Sequence, residues 1–381
     1  MKKSMKRLAW MLAAILVIGT TLSGCSSSSS TETTAAETEA ETEAAETTAG
    51  SEETDAAESE DTASEAADSS DSTEKITIRI GHNATEDNIY QVVCEAFRDK
   101  LVELLGEDRV SVEIYANGTL GSQTEMIEMI QMGTLDAVAF GRHSQIDSRL
   151  DVLNLPFLFT SDEHQTAVLR GDEGAEIRET IGECFEAEGI YMLGMFEAGF
   201  RQITSTKEIS SLEDLQGLVI RTPNTDVLMD SFEAWGASPT PLDLNDLYTA
   251  LQTGVCDAQE NPYQLIYTNG YYEVCDYMCV TNHSTICDEL QFSKVVMDTY
   301  PEDVQEAIWE AGAYACNVAG EENVKRNSEL LETLEGLMTV TYMPEEDLAE
   351  MKSIAEEQVY PSYTEDELSA QLVEAIQALA D

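Results

Sequence analysis

The sequence predicts a two-lobed α/β protein, and three observations carry that reading. Alternating strands and 3.6-periodic helices follow one another from Ile76 to Phe140. The pattern Q-x-G-x-x-D-A occurs twice, at Gln131–Ala137 and Gln252–Ala258, each time after an amphipathic helix and before a strand. Beyond Pro301 the chain is mostly helical, which supplies elements to brace both lobes. A chain of 381 residues with 43% hydrophobic content can build two cores of ordinary size.

Each element follows from local pattern. Ile76–Gly81 alternates apolar and polar residues as a strand. Asp87 to Gly106 carries Val92, Val93, Ala96, Phe97, Leu101 and Leu104 at helical spacing. Val110–Tyr115 alternates again, and Ser122 with Glu125 forms a capping box for a helix that ends at Gly133. A strand through Leu135 to Phe140 follows, and the succession suggests a largely parallel sheet. Tyr191–Phe196 and Leu218–Arg221 read as strands, the second stopped by Pro223, after which Asn224 is placed to cap a helix reaching Trp235. Asp243 caps the next helix, whose Leu244, Leu247, Tyr248 and Leu251 share a face and whose end is Gly254. A long helix to about Leu334, a strand at Met338–Tyr342 and helices near 345–359 and 366–380 complete the chain.

The first 25 residues precede any fold. Basic residues, an apolar run from Leu8 to Gly19 and the tetrad Leu22-Ser23-Gly24-Cys25 read as a secretory signal, and the run is too short for the ~20 residues that cross a bilayer. The tetrad resembles a bacterial lipobox, which implies lipid on Cys25 and attachment to the outer face of the cell membrane. From Ser26 to Lys75 no aliphatic residue larger than alanine and no aromatic appears, so this acidic segment is expected to be a disordered tether with a span of about 40 Å. The folded part is expected to be residues 76–381, with a first lobe at about 76–195, a second at about 196–290 and C-terminal helices bracing both.

Acidic residues outnumber basic ones 74 to 20, so nucleic acid has no cluster of cations to neutralise its phosphates and is excluded as a partner. Seven cysteines remain after Cys25; an odd number leaves at least one free thiol. Cys275, Cys279, His283 and Cys287 recur every four residues, but no CxxC pair is present and Tyr277–His283 reads as a strand running into a loop, so no metal is expected.

Several motifs coincide with those of one family. Arg201-Gln-Ile-Thr-Ser205, Leu218-Val-Ile-Arg-Thr-Pro-Asn224, Gly236-Ala-Ser-Pro-Thr-Pro241, Tyr248-Thr-Ala-Leu-Gln252, Asp257-Ala-Gln-Glu-Asn-Pro262 and Thr281-Asn-His283 resemble the DctP family, the solute-binding subunits of TRAP (tripartite ATP-independent periplasmic) transporters. The resemblance runs from about Ile76 to the C-terminus. It implies a periplasmic-binding-protein (flytrap) fold with a hinge and a long lobe-spanning helix. It also implies a small organic acid ligand, whether mono- or dicarboxylate, keto acid or sugar acid, passed to an ion-coupled membrane permease.

The same resemblance assigns ligand-binding residues. Arg221 matches the family's principal carboxylate-binding arginine, and a guanidinium fork suits a carboxylate because it donates two parallel hydrogen bonds and keeps its charge. Read alone, an arginine in this place is more often a surface or ion-pair residue. Arg201 matches a second arginine near the ligand, or else forms a lobe-bridging salt bridge. Asn261 matches a ligand-binding amide, or else caps the chain ahead of Pro262. Asn83, after the first strand, is a further cleft candidate or a turn residue. At Gly141-Arg142-His143-Ser144 the sequence departs from sugar-acid binders that carry a glutamate there; Arg142 or His143 then meets a second anionic group, or both face solvent. Leu244 replaces an aromatic found in some relatives.

No catalytic motif competes. GxSxG, HExxH, a P-loop and GxGxxG are all lacking, so neither an enzyme nor a cofactor is expected. The alternative reading is a lipoprotein sensor or adhesin that uses the same cleft without transport.

Overall fold

In the computed structural model the described residues are 75–380; the expected signal segment, Cys25 and the tether up to residue 74 lie outside them. The chain begins with β1 (Ile76–Gly81), α1 (Ile89–Leu105), β2 (Val110–Tyr115), α2 (Gln123–Met132), β3 (Ala137–Ala139) and the single turn α3 (His143–Ile146). Caps set these bounds. The Asn88 side chain accepts the Tyr90 amide at the start of α1, Ser122 and Glu125 form the expected capping box, and Gly133 closes α2 in the left-handed region at φ 72°.

Two helices follow that sequence periodicity did not single out, α4 (Asp162–Leu169) and α5 (Ala175–Ala187). Then come β4 (Ile190–Ser205), β5 (Val219–Thr222), α6 (Asp226–Ala234), β6 (Ser238–Pro241), α7 (Leu244–Thr253), β7 (Ala258–Pro262) and α8 (Tyr263–Thr268). The N-cap of α6 is Thr225, not Asn224, because the Thr225 amide bonds the Pro223 carbonyl at 2.8 Å and this tight turn takes Asn224 as its middle residue. The C-terminal third holds β8 (Tyr277–Val280), β9 (Thr285–Ser293), α9 (Lys294–Met297), α10 (Glu302–Glu335), β10 (Thr339–Tyr342), α11 (Glu345–Gln358), α12 (Tyr360–Tyr363) and α13 (Glu367–Gln377).

The main strand path is β2-β1-β3-β9-β4-β7-β5-β6. Its flanks are parallel, as the alternating pattern predicts, with β1 beside β2 and β3 and with β5 beside β6 and β7. Its centre is antiparallel: β9 pairs β3 and β4, while β4 pairs β7 and β8. The sheet is therefore mixed where the sequence suggested a largely parallel one. The cause is β4, sixteen residues long, whose part up to Phe200 pairs β9 and whose part from Arg201 pairs β7. Its register slips between Glu197 and Gly199, and Gly199 takes φ 100°, a conformation that favours glycine. β9, which straddles the expected boundary at about 290, pairs both β3 and β4.

The helix α10 spans 34 residues, about 50 Å at ~1.5 Å per residue. It packs on α1 and β4 and on α8, so one rigid element touches both halves. Ala307, Ala311, Gly312, Ala315, Ala319 and Gly320 form its buried stripe, and such small side chains let the helix lie close to β4. No described helix is long and apolar enough to cross a membrane.

Candidate ligand-binding site

Strand ends position the site. Asn83 follows β1, Arg142 and His143 follow β3, Arg221 stands near the end of β5 and Asn261 near the end of β7. In open α/β sheets the carboxyl ends of parallel strands are where ligands bind, because the backbone leaves the sheet there and opens a crevice. A cavity of about 70 Å³ lies at that place, and all five ligand-binding residues expected from the sequence, Arg221, Arg201, Asn261, Asn83 and Arg142, line it. Leu244 lines it as well. The two halves meet beside it, where the Asn88 amide donates to Thr268 Oγ1 at 3.5 Å and an added side chain at Gly118 would strike Asn245 Nδ2.

The three guanidinium groups differ in their surroundings. Arg221 is 2% exposed and donates through Nε (2.8 Å) and Nη2 (2.5 Å) to the Leu242 carbonyl. No described carboxylate stands within ion-pair distance of it, and burial pushes its pKa down to about 10. Even so it stays charged at neutral pH. Pro223 fixes the chain just beyond it.

Arg201 is matched internally. Its Nε and Nη2 both bond the Glu260 carboxylate, the latter at 2.6 Å, and Nη2 also bonds the Glu260 carbonyl at 2.8 Å. The salt bridge anticipated as the alternative for Arg201 thus exists, but it joins adjacent strands β4 and β7 instead of bridging lobes. Burial acts to raise the Glu260 pKa, but Arg201 and His283 outweigh it and hold the carboxyl below its ordinary value. Arg142 is the most loosely held of the three: its Nε is buried without a hydrogen-bond partner, and desolvation lowers its pKa against the pull of Asp243 and Asp151.

The amides are tied to their neighbours. Asn261 donates to Gln259 Oε1 at 2.5 Å and its Oδ1 faces Arg201 Nη2 at 3.4 Å; Asn83 Oδ1 accepts from Gln123 at 3.4 Å. His143, offered by the sequence as either ligand-facing or solvent-facing, is buried at the cavity wall and bonded to Glu289. Burial works to lower its pKa, and Glu289 reverses this and raises it.

Sequence reasoning missed Tyr90, Asp288 and the acid behind it, Glu289. Tyr90 and Asp288 line the cavity, and both acids are 0% exposed. The one signal was an adjacent Asp-Glu pair inside a strand-like run, Thr285–Ser293, which a solvated face would explain equally well. Gly141 lets the loop after β3 lie on β9: a Cβ there would collide with the Cys287 carbonyl and sit 3.1 Å from Asp288 Oδ1. A larger cavity, about 680 Å³, lies elsewhere, between Phe157, Tyr263, Asn327 and Lys352; its lysine is offset by Asp162 and Glu163, so it offers no comparable anion site.

Two α/β halves, a long strand β4 shared between them and a guanidinium-lined cavity at the strand ends make this a periplasmic solute-binding fold. The chain belongs to the DctP family, bacterial extracellular solute-binding protein family 7, whose model matches residues 80–366. It is similar to a solute-binding protein of Roseobacter denitrificans, with 32% identity over 243 residues, 64% of this chain and 74% of that one. The 2,3-diketo-L-gulonate-binding periplasmic protein YiaO of Escherichia coli is 27% identical over 65% of this chain and 76% of its own. Among solved structures, the sugar acid binding protein DctPAm of Advenella mimigardefordensis, in complex with galactonate, superposes with a TM-score of 0.74 at 26% identity, covering 80% of this chain and 99% of that one.

Proposed function

We propose that this chain captures a small organic acid outside the cytoplasm, holding its carboxylate on Arg221, and delivers it to the membrane permease of a TRAP transporter. Arg201, Arg142, Asn261 and Asn83 complete the grip. One observation carries the reading: a buried arginine in a cavity has a backbone carbonyl for a partner and no described carboxylate at contact distance. A buried cation is costly without a counter-charge, and a ligand carboxylate supplies one. The acids bound by relatives, galactonate and 2,3-diketo-L-gulonate, have that group.

On this reading the chain is a carrier and not an enzyme. Lipid on Cys25 holds it at the membrane, the segment 26–75 is its tether, and the folded part comprises the two lobes with their bracing helices. The fold closes over the ligand, and the closed form is what the permease receives.

A thermal-shift screen of mono- and dicarboxylates, keto acids and sugar acids tests the proposal, since a ligand that binds only the folded state raises the melting temperature. At least one acid should raise it, and Arg221→Ala should abolish that shift while leaving the unliganded melt cooperative. A shift with a neutral sugar or a metal but with no acid would sink the carboxylate assignment.

A further inference from the structure

Besides its arginines the cavity contains an acid that carboxylate capture does not use. Asp288 on β9 is fully buried and lines the cavity. Its Oδ1 accepts the Gly141 amide at 2.6 Å, while its Oδ2 is buried with no hydrogen-bond partner. A buried acceptor left unpaired is destabilising, so such an atom in a cavity wall points to a donor on whatever the cavity receives.

The groups around Asp288 narrow what that donor is. Tyr90 from α1 approaches the Asp288 carboxyl with its hydroxyl and interacts with it, but not in a geometry that gives Oδ2 a hydrogen-bond partner. Arg142 and His143 follow β3, Cys287 and Glu289 flank Asp288 on β9, and β4 presents Phe196 opposite it, with Glu197 paired to Arg170 and Arg201 paired to Glu260. Three guanidinium groups line the same cavity, so an ammonium on the ligand would be repelled. A second carboxylate beside Asp288 and Glu289 would meet like charge. A hydroxyl donates without bringing charge.

We propose that Asp288 is a specificity-determining residue that accepts a hydrogen bond from a hydroxyl of the bound acid, so that the ligand is a hydroxy acid held by its carboxylate on Arg221 and by a hydroxyl on Asp288. This rests on the carboxylate reading above and extends it. It also couples binding to protons. Burial and the neighbouring Glu289 push the free Asp288 carboxyl up to about 7. A donating hydroxyl favours the ionised form, so binding expels a proton and affinity rises as pH passes upward through about 7.

The test is titration calorimetry of the full chain with galactonate and erythronate against hexanoate and butanoate, which keep the chain length and lack the hydroxyls. These acids are all ionised above pH 5.5. The wild-type chain should prefer a hydroxy acid over its deoxy counterpart by about 100-fold or more, since a site that hydrogen-bonds a hydroxyl strongly rejects the analogue lacking it. Asp288→Leu should narrow that preference to about tenfold or less through weaker hydroxy-acid binding. Wild-type affinity should rise about tenfold between pH 5.5 and 8.5, and Asp288→Asn should flatten that rise, leaving any residue to His143. The Asn variant carries the test if the Leu variant does not fold. Equal wild-type affinity for hydroxy and deoxy acids, or discrimination and pH slope surviving in both variants, would overturn the role of Asp288 while leaving Arg221 as the carboxylate site. Failure of every acid to bind would overturn the carboxylate reading itself.

Discussion

At the residue scale, buried charges fall into two groups: Arg201 and Glu260 complete each other, whereas Arg221 has only a backbone carbonyl for a partner. The Arg201–Glu260 pair is fully enclosed and needs both members. Removing one partner of such a pair leaves the other unpaired in a low dielectric, so Glu260→Gln should destabilise the protein by about 3–5 kcal/mol in urea unfolding. The sign with pH follows from the lowered Glu260 pKa: its contribution is present above the ordinary carboxylate value and lost as pH falls through the folded one. Asp288 runs the opposite way. Its pKa is raised from 3.8 to about 7, so ionising it opposes folding, and stability declines as pH climbs across that interval. Asp288→Asn should therefore raise unfolding stability at pH 8 and change it little at pH 4, measured by denaturant midpoints at the two pH values.

At the element scale, α10 and β4 hold the halves together, and their contact depends on missing side chains. A Cβ on Gly320 would run into the Arg170 guanidinium and the Glu197 carboxylate, and one on Gly312 would strike Leu193. Arg170 and Glu197 are themselves a buried pair, bonded at 2.7 Å and 3.0 Å, so they have little room to yield. Gly320→Ala should cost about 1–3 kcal/mol through overpacking, read by calorimetric melting of the full chain. The helix itself was legible from its apolar period after Pro301, as were the capping box of α2 and the glycine that ends α7; Asp243 stands at the N-cap of α7 but its side chain makes no cap bond there. The crossing of β4 was not: residues 190–205 contain two register positions for two different partners, and nothing local says where one partner ends.

At the scale of the whole molecule, charge acts on rates more than on the site. The chain carries a formal net charge of −54, which repels an approaching anion, while the cavity's guanidinium groups attract it at short range. Salt screens the first effect beyond about 8 Å at physiological strength and hardly reaches the second. Association of a bound carboxylate should consequently speed up between ~10 mM and ~150 mM salt, with dissociation nearly unchanged, in stopped-flow fluorescence. An association rate that falls with salt would show that the local cations dominate the approach as well.

What the sequence alone determined was set by short-range rules: alternation for β1 and β2, helical spacing for α1, α2 and α7, the capping box of α2, and a motif run that pointed Arg221, Arg201 and Asn261 to one cleft. These are properties of a few consecutive residues, and they survive without knowledge of neighbours. Asp288, Glu289 and the pairing of Arg201 with Glu260 were decided only in three dimensions. β9 returns antiparallel between β3 and β4, and this long-range register converts an Asp-Glu pair that could have faced water into a buried acid at the cavity wall. Charge is read from the chain, but whether it is solvated, paired or left to meet a ligand depends on which distant strand lies beside it.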